Sequence, residues 1–192
     1  MPCRHYNISY PTYLGAAFDA STTNLSYLLS APEPLLEPLH LTLSFLSPIT
    51  PSSTLRQSIP AAYFTVHVRG HFNMSIYADV NGDWVSGNRD NEISWELREP
   101  GSSSGRAGPA IKTWMVSRTI EQVFTEWADR SEWGTLHFTA PAAGRHQCGT
   151  SAVLRRYFAE TGVLNNTVDP SFRRIMHDEP VFAFAVSFGL GA

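Results

Sequence analysis

Apolar and polar positions alternate along much of this chain, and the period of the alternation changes from stretch to stretch. TYLGAAFD, residues 12 to 19, reads as a strand. In STTNLSYLLSA, which follows, Leu25, Leu28 and Leu29 fall at helical spacing and Ser21 or Thr22 is placed to cap them, so a short helix is predicted. PEPLLEP, 32 to 38, is a connection because its prolines break both regular structures. LHLTLSFL, 39 to 46, has the length and composition of a strand, and STLRQSI, 53 to 59, of a helical turn. YFTVHVRGHF, 63 to 72, alternates as a strand does. Asn81-Gly82 lies between the apolar arms MSIYADV and DWVSG and predicts a type I′ hairpin. EISWELRE, 92 to 99, sets Ile93, Trp95 and Leu97 on one side of a further strand, and PGSSSGRAGP, 100 to 109, is a surface loop by composition.

The strongest helical pattern is SRTIEQVFTEWADR, 117 to 130, where Ile120, Val123, Phe124 and Trp127 share a face and Ser117 can cap. TLHFTAP, 135 to 141, returns as a strand, and AAGRHQ, 142 to 147, is a loop. CGTSAVLRRYFAETG, 148 to 162, reads as a helix stopped by Gly162, and PVFAFAVSFGL, 180 to 190, as the last strand. Strands interspersed with helices in this order predict an α+β fold. The expected arrangement is a single domain over 1–192, bilobed, with antiparallel sheets around a central cleft and two or three helices outside. Residues 10–140 would form its core, and 141–192 would add a helix and a strand.

Composition narrows the function classes. The net charge of −3 and a pI near 6.1 leave no basic excess, so tight binding to long nucleic acid is not expected, whereas a small charged ligand is compatible. Two cysteines, Cys3 and Cys148, make no disulfide framework, and no Cys/His spacing suits a metal, so neither metal nor cofactor is expected. No leader-type apolar segment and no membrane-length run is present, which predicts a cytoplasmic protein without membrane partners. The N-x-S/T triplets at Asn7, Asn24, Asn73 and Asn165 then read as chance matches.

The candidate chemistry sits in two short triplets, His40-Leu41-Thr42 and His137-Phe138-Thr139. Residues i and i+2 of a strand share a face, so each triplet presents one imidazole and one hydroxyl together. An imidazole gives or takes a proton near neutral pH, and a threonine hydroxyl hydrogen-bonds an oxyanion. If the two pairs face each other, one histidine removes a proton while the other protonates a leaving oxygen. A single such triplet is common in a chain with seven histidines, and the alternative is an ordinary buried strand that happens to contain a histidine.

With these motifs, YLGAAFDASTTNLSYLLS followed by LHLTLSF, and TIEQVFTEWADRSEWGTLHFTA later, the chain resembles the two-histidine (2H) phosphoesterase superfamily. That resemblance implies a bilobed α+β fold and a metal-independent phosphoesterase acting on a cyclic phosphate or small nucleotide. It makes His40 and His137 the acid–base pair and Thr42 and Thr139 the phosphate holders. Leu39 and Leu136 stand where the family often has proline.

Other features compete. Cys148 would begin a helix, where a thiol pKa falls, but only His177 follows it, and a packing role is preferred. DVNGD, 79 to 83, lacks the later glutamate of a calcium loop. His67 and His71 read as a solvated or ligand-side pair around Arg69, and Trp133, just ahead of the second motif, is the best aromatic for stacking a base. Two readings from other classes stay open. One is a small-molecule cyclase, isomerase or ligand-binding protein with an aromatic cleft and a single histidine acid or base. The other is an interaction protein whose histidines merely pack.

Overall fold

The computed structural model describes residues 9–32, 36–100 and 110–189. Cys3, Asn7, the middle of the proline-rich connection and nearly all of the Gly/Ser-rich loop lie outside the described residues. Two compact units are present. One holds the described residues up to Asn73 together with Gly189, and the other holds Met74–Phe188.

The first unit is a four-stranded antiparallel sheet in the order β1 (Thr12–Phe18), β2 (Thr22–Leu29), β3 (Leu39–Leu46), β4 (Tyr63–Arg69). A four-residue helix, α1 (Thr54–Gln57), joins the last two and is capped by Ser53, whose side chain accepts from the Arg56 N–H. The short helix expected after residue 21 is β2 instead. Asp19 decides this: its carboxylate accepts from the N–H groups of Ser21 and Thr22 at 2.8 and 2.7 Å, and its own N–H donates to the Thr22 carbonyl. That closes a tight turn and lays Thr22–Leu29 back against β1, where β-branched Thr22 and Thr23 are better accommodated than in a helix. In β1 and β2 the register skips Leu14, a bulge that leaves this side chain without an opposite residue.

The second unit has a deeper core. One antiparallel sheet runs β10 (Thr135–Pro141), β7 (Ile111–Arg118), β6 (Glu92–Arg98), β12 (Arg173–Arg174), and another runs β11 (Arg145–Thr150), β13 (Pro180–Phe188), β5 (Met74–Asn81). Strict alternation along β7 turns Trp114 and Val116 inward, and β6 does the same with Ile93 and Trp95. These meet Phe182 and Phe184 of β13, together with Cys148 and Ile175. The opposite side of β13 presents Val181, Ala183 and Ala185 to Leu154 of helix α2 (Ser151–Thr161) and to Leu164. A strand buried on both faces explains why PVFAFA reads as one apolar run. Each large side chain buried in this way contributes roughly 1.5–3 kcal/mol of transfer free energy. The indoles keep their polar atoms satisfied: Trp95 Nε1 donates to the Asp169 carbonyl at 2.7 Å and Trp114 Nε1 to the Ala183 carbonyl at 3.2 Å.

The sheets are antiparallel, as expected, but the protein is mainly β. The described residues hold four such sheets and two helices, of which only α2 exceeds a single turn. Four expectations fail in this unit. The helical pattern at 117–130 is not a helix: after β7 the chain forms a small hairpin of β8 (Glu126–Trp127) and β9 (Arg130–Ser131). Buried Arg118 and Glu132 pin its two ends by an ion pair of 2.6 Å, and Phe124, Ala128 and Asp129 take left-handed backbone that no α-helix contains. Asn81-Gly82 makes no hairpin either. Asn81 is extended, its side chain caps a 3-10 turn over Gly82–Trp84, and β5 pairs with the distant β13. Cys148 does not start a helix. It sits within β11 opposite Phe182, and the expected loop 142–147 contributes the first half of that strand. The stop at Gly162 is found as expected, with φ +71, a conformation glycine adopts without strain.

Candidate functional site

The first unit carries the most concentrated ligand-type chemistry. The register sets His40 of β3 opposite Arg69 of β4, and Thr42 opposite His67. Directly opposed residues hold their Cβ atoms about 4.5–5.5 Å apart, so two imidazoles, a guanidinium and a hydroxyl form one quadrilateral on one face. Glu37, Pro38 and His71 border it, Leu28 and the bulged Leu14 supply apolar wall, and together they line a concavity of roughly 860 Å³. His40, His67 and Arg69 are exposed and Thr42 half-buried, so the donors face solvent. The donor set of such a surface is of a kind that can hydrogen-bond a carboxylate or another small anion, and Glu37 offers a counter-charge for an ammonium group.

The second triplet has different company. His137 and Thr139 of β10 share the outer, exposed face of their sheet, as the strand period requires. His137 lies opposite Met115 and Thr139 opposite Thr113, whose hydroxyls are 3.0 Å apart. The Thr139 hydroxyl therefore already has a protein partner, and no second imidazole or guanidinium is paired with His137 across β7. His40 and Thr42 belong to the first unit, and His137, Thr139 and Trp133 to the second. Trp133 packs edge-on against Phe124 at 5.7 Å between ring centres, within the aromatic hairpin that precedes β10.

Three polar clusters of the second unit were not singled out from the sequence. Lys112 Nζ lies 3.2 Å from His146 Nδ1 and 3.4 Å from Glu99 Oε1. A lysine ammonium can only donate, so Nδ1 accepts and the imidazole is neutral with its proton on Nε2. Burial and the Lys112 charge hold the His146 pKa below its ordinary value, outweighing Glu99. The Glu132 carboxylate accepts from Ser86 Oγ at 2.7 Å, Gly87 N–H at 2.8 Å, Asn91 Nδ2 at 3.0 Å and Arg118. Burial alone would raise its pKa, but Ser86, the Gly87 N–H, the Arg118 charge and the Asn88 N–H outweigh it and lower it. Glu179 accepts from Ser151 Oγ and Asn81 Nδ2 and ties the start of α2 to the end of β5. The Cys148 thiol is pushed up to about 11, chiefly by burial, which is opposite to the activation a nucleophile needs. Among the described residues no cluster of three or more His, Cys, Asp or Glu is placed to hold a metal ion, and no helix is long and apolar enough to cross a membrane.

Fold and site together define a mainly β protein with a histidine- and arginine-bearing sheet face. Residues 35–191 match the family described as Domain of unknown function (DUF5127), and the chain belongs to that family. Over 180 residues it is 49% identical to a probable glutaminase of Arthroderma benhamiae, covering 93% of this chain and 21% of that protein. Over 186 residues it is 27% identical to Glutaminase A of Aspergillus oryzae, covering 93% of this chain and 25% of that protein. The chain thus spans about a fifth to a quarter of the length of these relatives. No solved structure matches it.

These findings overturn the two-histidine phosphoesterase assignment, and with it the cyclic-phosphate or nucleotide substrate. The resemblance rested on a three-residue triplet that any half-exposed strand can carry, and on two helices that the structure replaces by β2 and by the β8–β9 hairpin. His67 and Arg69 gained their place only through the register of β3 with β4. Their alternation in YFTVHVR showed which side they shared, but not which strand lay beside them.

Proposed function

We propose that this chain forms the β-rich portion of a glutaminase-type amidohydrolase, which converts glutamine and water to glutamate and ammonia. The observation that carries this reading is the 49% identity over 93% of the chain to a probable glutaminase. The reaction is proposed for a polypeptide of glutaminase length, of which this chain is one part. Within it, the His40–Thr42–His67–Arg69 face is the part of the chain that meets substrate. Its groups suit a free amino acid: Arg69 and the imidazoles complement an α-carboxylate, Glu37 an α-ammonium group, Thr42 a side-chain amide, and Leu14 and Leu28 the methylenes between.

The test is a chimera in which this chain replaces the matched region of the Arthroderma protein. Ammonia release from glutamine is measured for the chimera, its parent and the variants His40→Ala and Arg69→Ala. Turnover by the chimera is expected, with Arg69→Ala lowering kcat/KM about tenfold or more, mostly through KM, as loss of a charge-assisted carboxylate contact does. A folded chimera that is inert on glutamine while its parent is active rejects the reading. Unchanged kinetics in both variants rejects the face as a substrate contact.

A further inference from the structure

The segment from Thr119 to Gly134 displays apolar side chains outward to an extent that a water-facing loop has no use for. Phe124 is 89% exposed, Ile120 74%, Trp127 61% and Val123 56%, and Trp133 packs against Phe124. Loops that face water are polar, whereas a contiguous exposed patch of aromatic and aliphatic groups marks a binding surface.

The segment is also held stiffly. Gln122 N–H donates to the Glu132 carbonyl and Glu132 N–H to the Thr125 carbonyl, closing the hairpin base. The buried Glu132 carboxylate, with its Ser86, Gly87, Asn91 and Arg118 donors, rivets that base to the body of the unit. Gly87 lets the hairpin backbone come so close that a Cβ there would sit 1.8 Å from the Trp127 carbonyl oxygen. Phe124, Ala128 and Asp129 hold φ values of 60, 50 and 58°, conformations that persist where the surroundings impose them. A rigid aromatic display loses little conformational entropy on binding, the property that distinguishes anchor residues of interfaces.

The surroundings select the occupant. Within 119–134 the exposed charges are Glu121, Glu126 and Asp129 against Arg130, so the segment that carries the patch is acidic. A second copy packed by two-fold symmetry would bring these acidic segments together, and an anionic lipid surface would be repelled. An apolar surface with a basic rim fits. The relatives supply a source for it: this chain corresponds to 21% and 25% of their lengths, so most of a glutaminase-length polypeptide lies outside the matched part.

We infer that the 119–134 hairpin is a docking element, seated in a basic-rimmed apolar recess in the remainder of the glutaminase-length polypeptide. This inference rests on the proposed function only for the length of the polypeptide, and its test does not use activity. In the chimera described above, Phe124→p-benzoylphenylalanine is irradiated and the cross-linked peptides are mapped, and backbone hydrogen exchange of 119–134 is compared between chimera and isolated chain. The expected result is an intramolecular cross-link to a segment outside the matched region, with hairpin amides exchanging about tenfold or more slowly in the chimera. Phe124→Ser with Trp127→Ser should abolish that protection without altering exchange in β13. Equal exchange in both proteins, or cross-links confined to the matched region, overturns the inference. Sedimentation of the isolated chain is the second measurement: dimers that the double variant returns to monomers assign the hairpin to a second copy, and hairpin-dependent binding to anionic vesicles assigns it to a lipid surface, either of which also overturns it. Ammonia release lost without loss of protection would count against the proposed function and leave the docking element standing.

Discussion

The two units carry the same local motif in unlike settings. In the first, most side chains of the four-stranded sheet remain half or fully exposed, and among its described residues Leu39 is the buried hydrophobic one. In the second, two sheets and a helix enclose Trp114, Phe182, Ile93, Val116 and Ile175. His40 and His137 each alternate with a threonine on a strand, yet His40 joins a second imidazole and a guanidinium over a concavity, while His137 stands beside a methionine. The neighbour across the ladder, not the triplet, decides what a histidine can do.

This contrast can be broken most directly at the polar anchor of the second unit. Glu132→Ala leaves Arg118 buried without its counter-charge, and removing one partner of a buried pair typically costs about 3–5 kcal/mol. Urea unfolding followed by hydrogen exchange should show that loss in β6 and β7 and none in β2 and β3. A loss smaller than about 1 kcal/mol would mean that the pair does not anchor the hairpin base. Next in size are matched truncations of apolar side chains. Phe182→Ala should cost about 3–5 kcal/mol in the second unit, whereas Leu41→Ala on the half-exposed β3 should cost on the order of 1 kcal/mol in the first. Equal costs would remove the distinction between a deep and a shallow core.

A pH titration sharpens the comparison further. The folded second unit holds the His146 pKa below its unfolded value, because of burial first and Lys112 second. The unfolded chain therefore binds this proton at higher pH than the folded chain does. Stability from this site is full above the unfolded value of about 6.5 and is lost as pH falls toward the folded one. The thermal midpoint should drop between pH 7.5 and 5.5, and the drop should shrink in His146→Gln. An unchanged slope in that variant would assign the acid sensitivity to other groups. The smallest effects belong to the motif histidines: His40→Ala and His137→Ala should each stay within about 0.5 kcal/mol of the parent, as surface substitutions do. A larger loss for His137→Ala would show that the outer face of β10 is less open than its exposure indicates.

The sequence revealed some elements and concealed others for identifiable reasons. EISWELR was legible as a strand because the face of Ile93 and Trp95 is more buried than the other, and LHLTLSF because its length and composition suit a strand. Gly162 was legible as a helix stop because its chemistry is local. The TIEQVFTEW stretch misled because its 3.6-residue periodicity turned out to describe an outward display of aromatic groups rather than a face turned to the core. Asn81-Gly82 misled because a turn signal makes a hairpin only when the next stretch can return as a strand, and here β5 pairs with β13. In the candidate site, His40 and Thr42 could be placed on one face from period two alone, but Arg69 and His67 could not be assigned to them.

By itself, then, the sequence determined where β1, β3, β4, β6, β10 and β13 run, which side chains share a face within them, that the chain is apolar enough to bury a core and that its charge excess is slight, since each depends on short-range periodicity or on composition. Only the tertiary structure decided that β4 lies beside β3, that β13 is buried from both sides, and that a buried glutamate holds an aromatic hairpin away from the core. Strand register and ion pairing join residues far apart in the chain, and no local pattern encodes which distant partner closes the ladder.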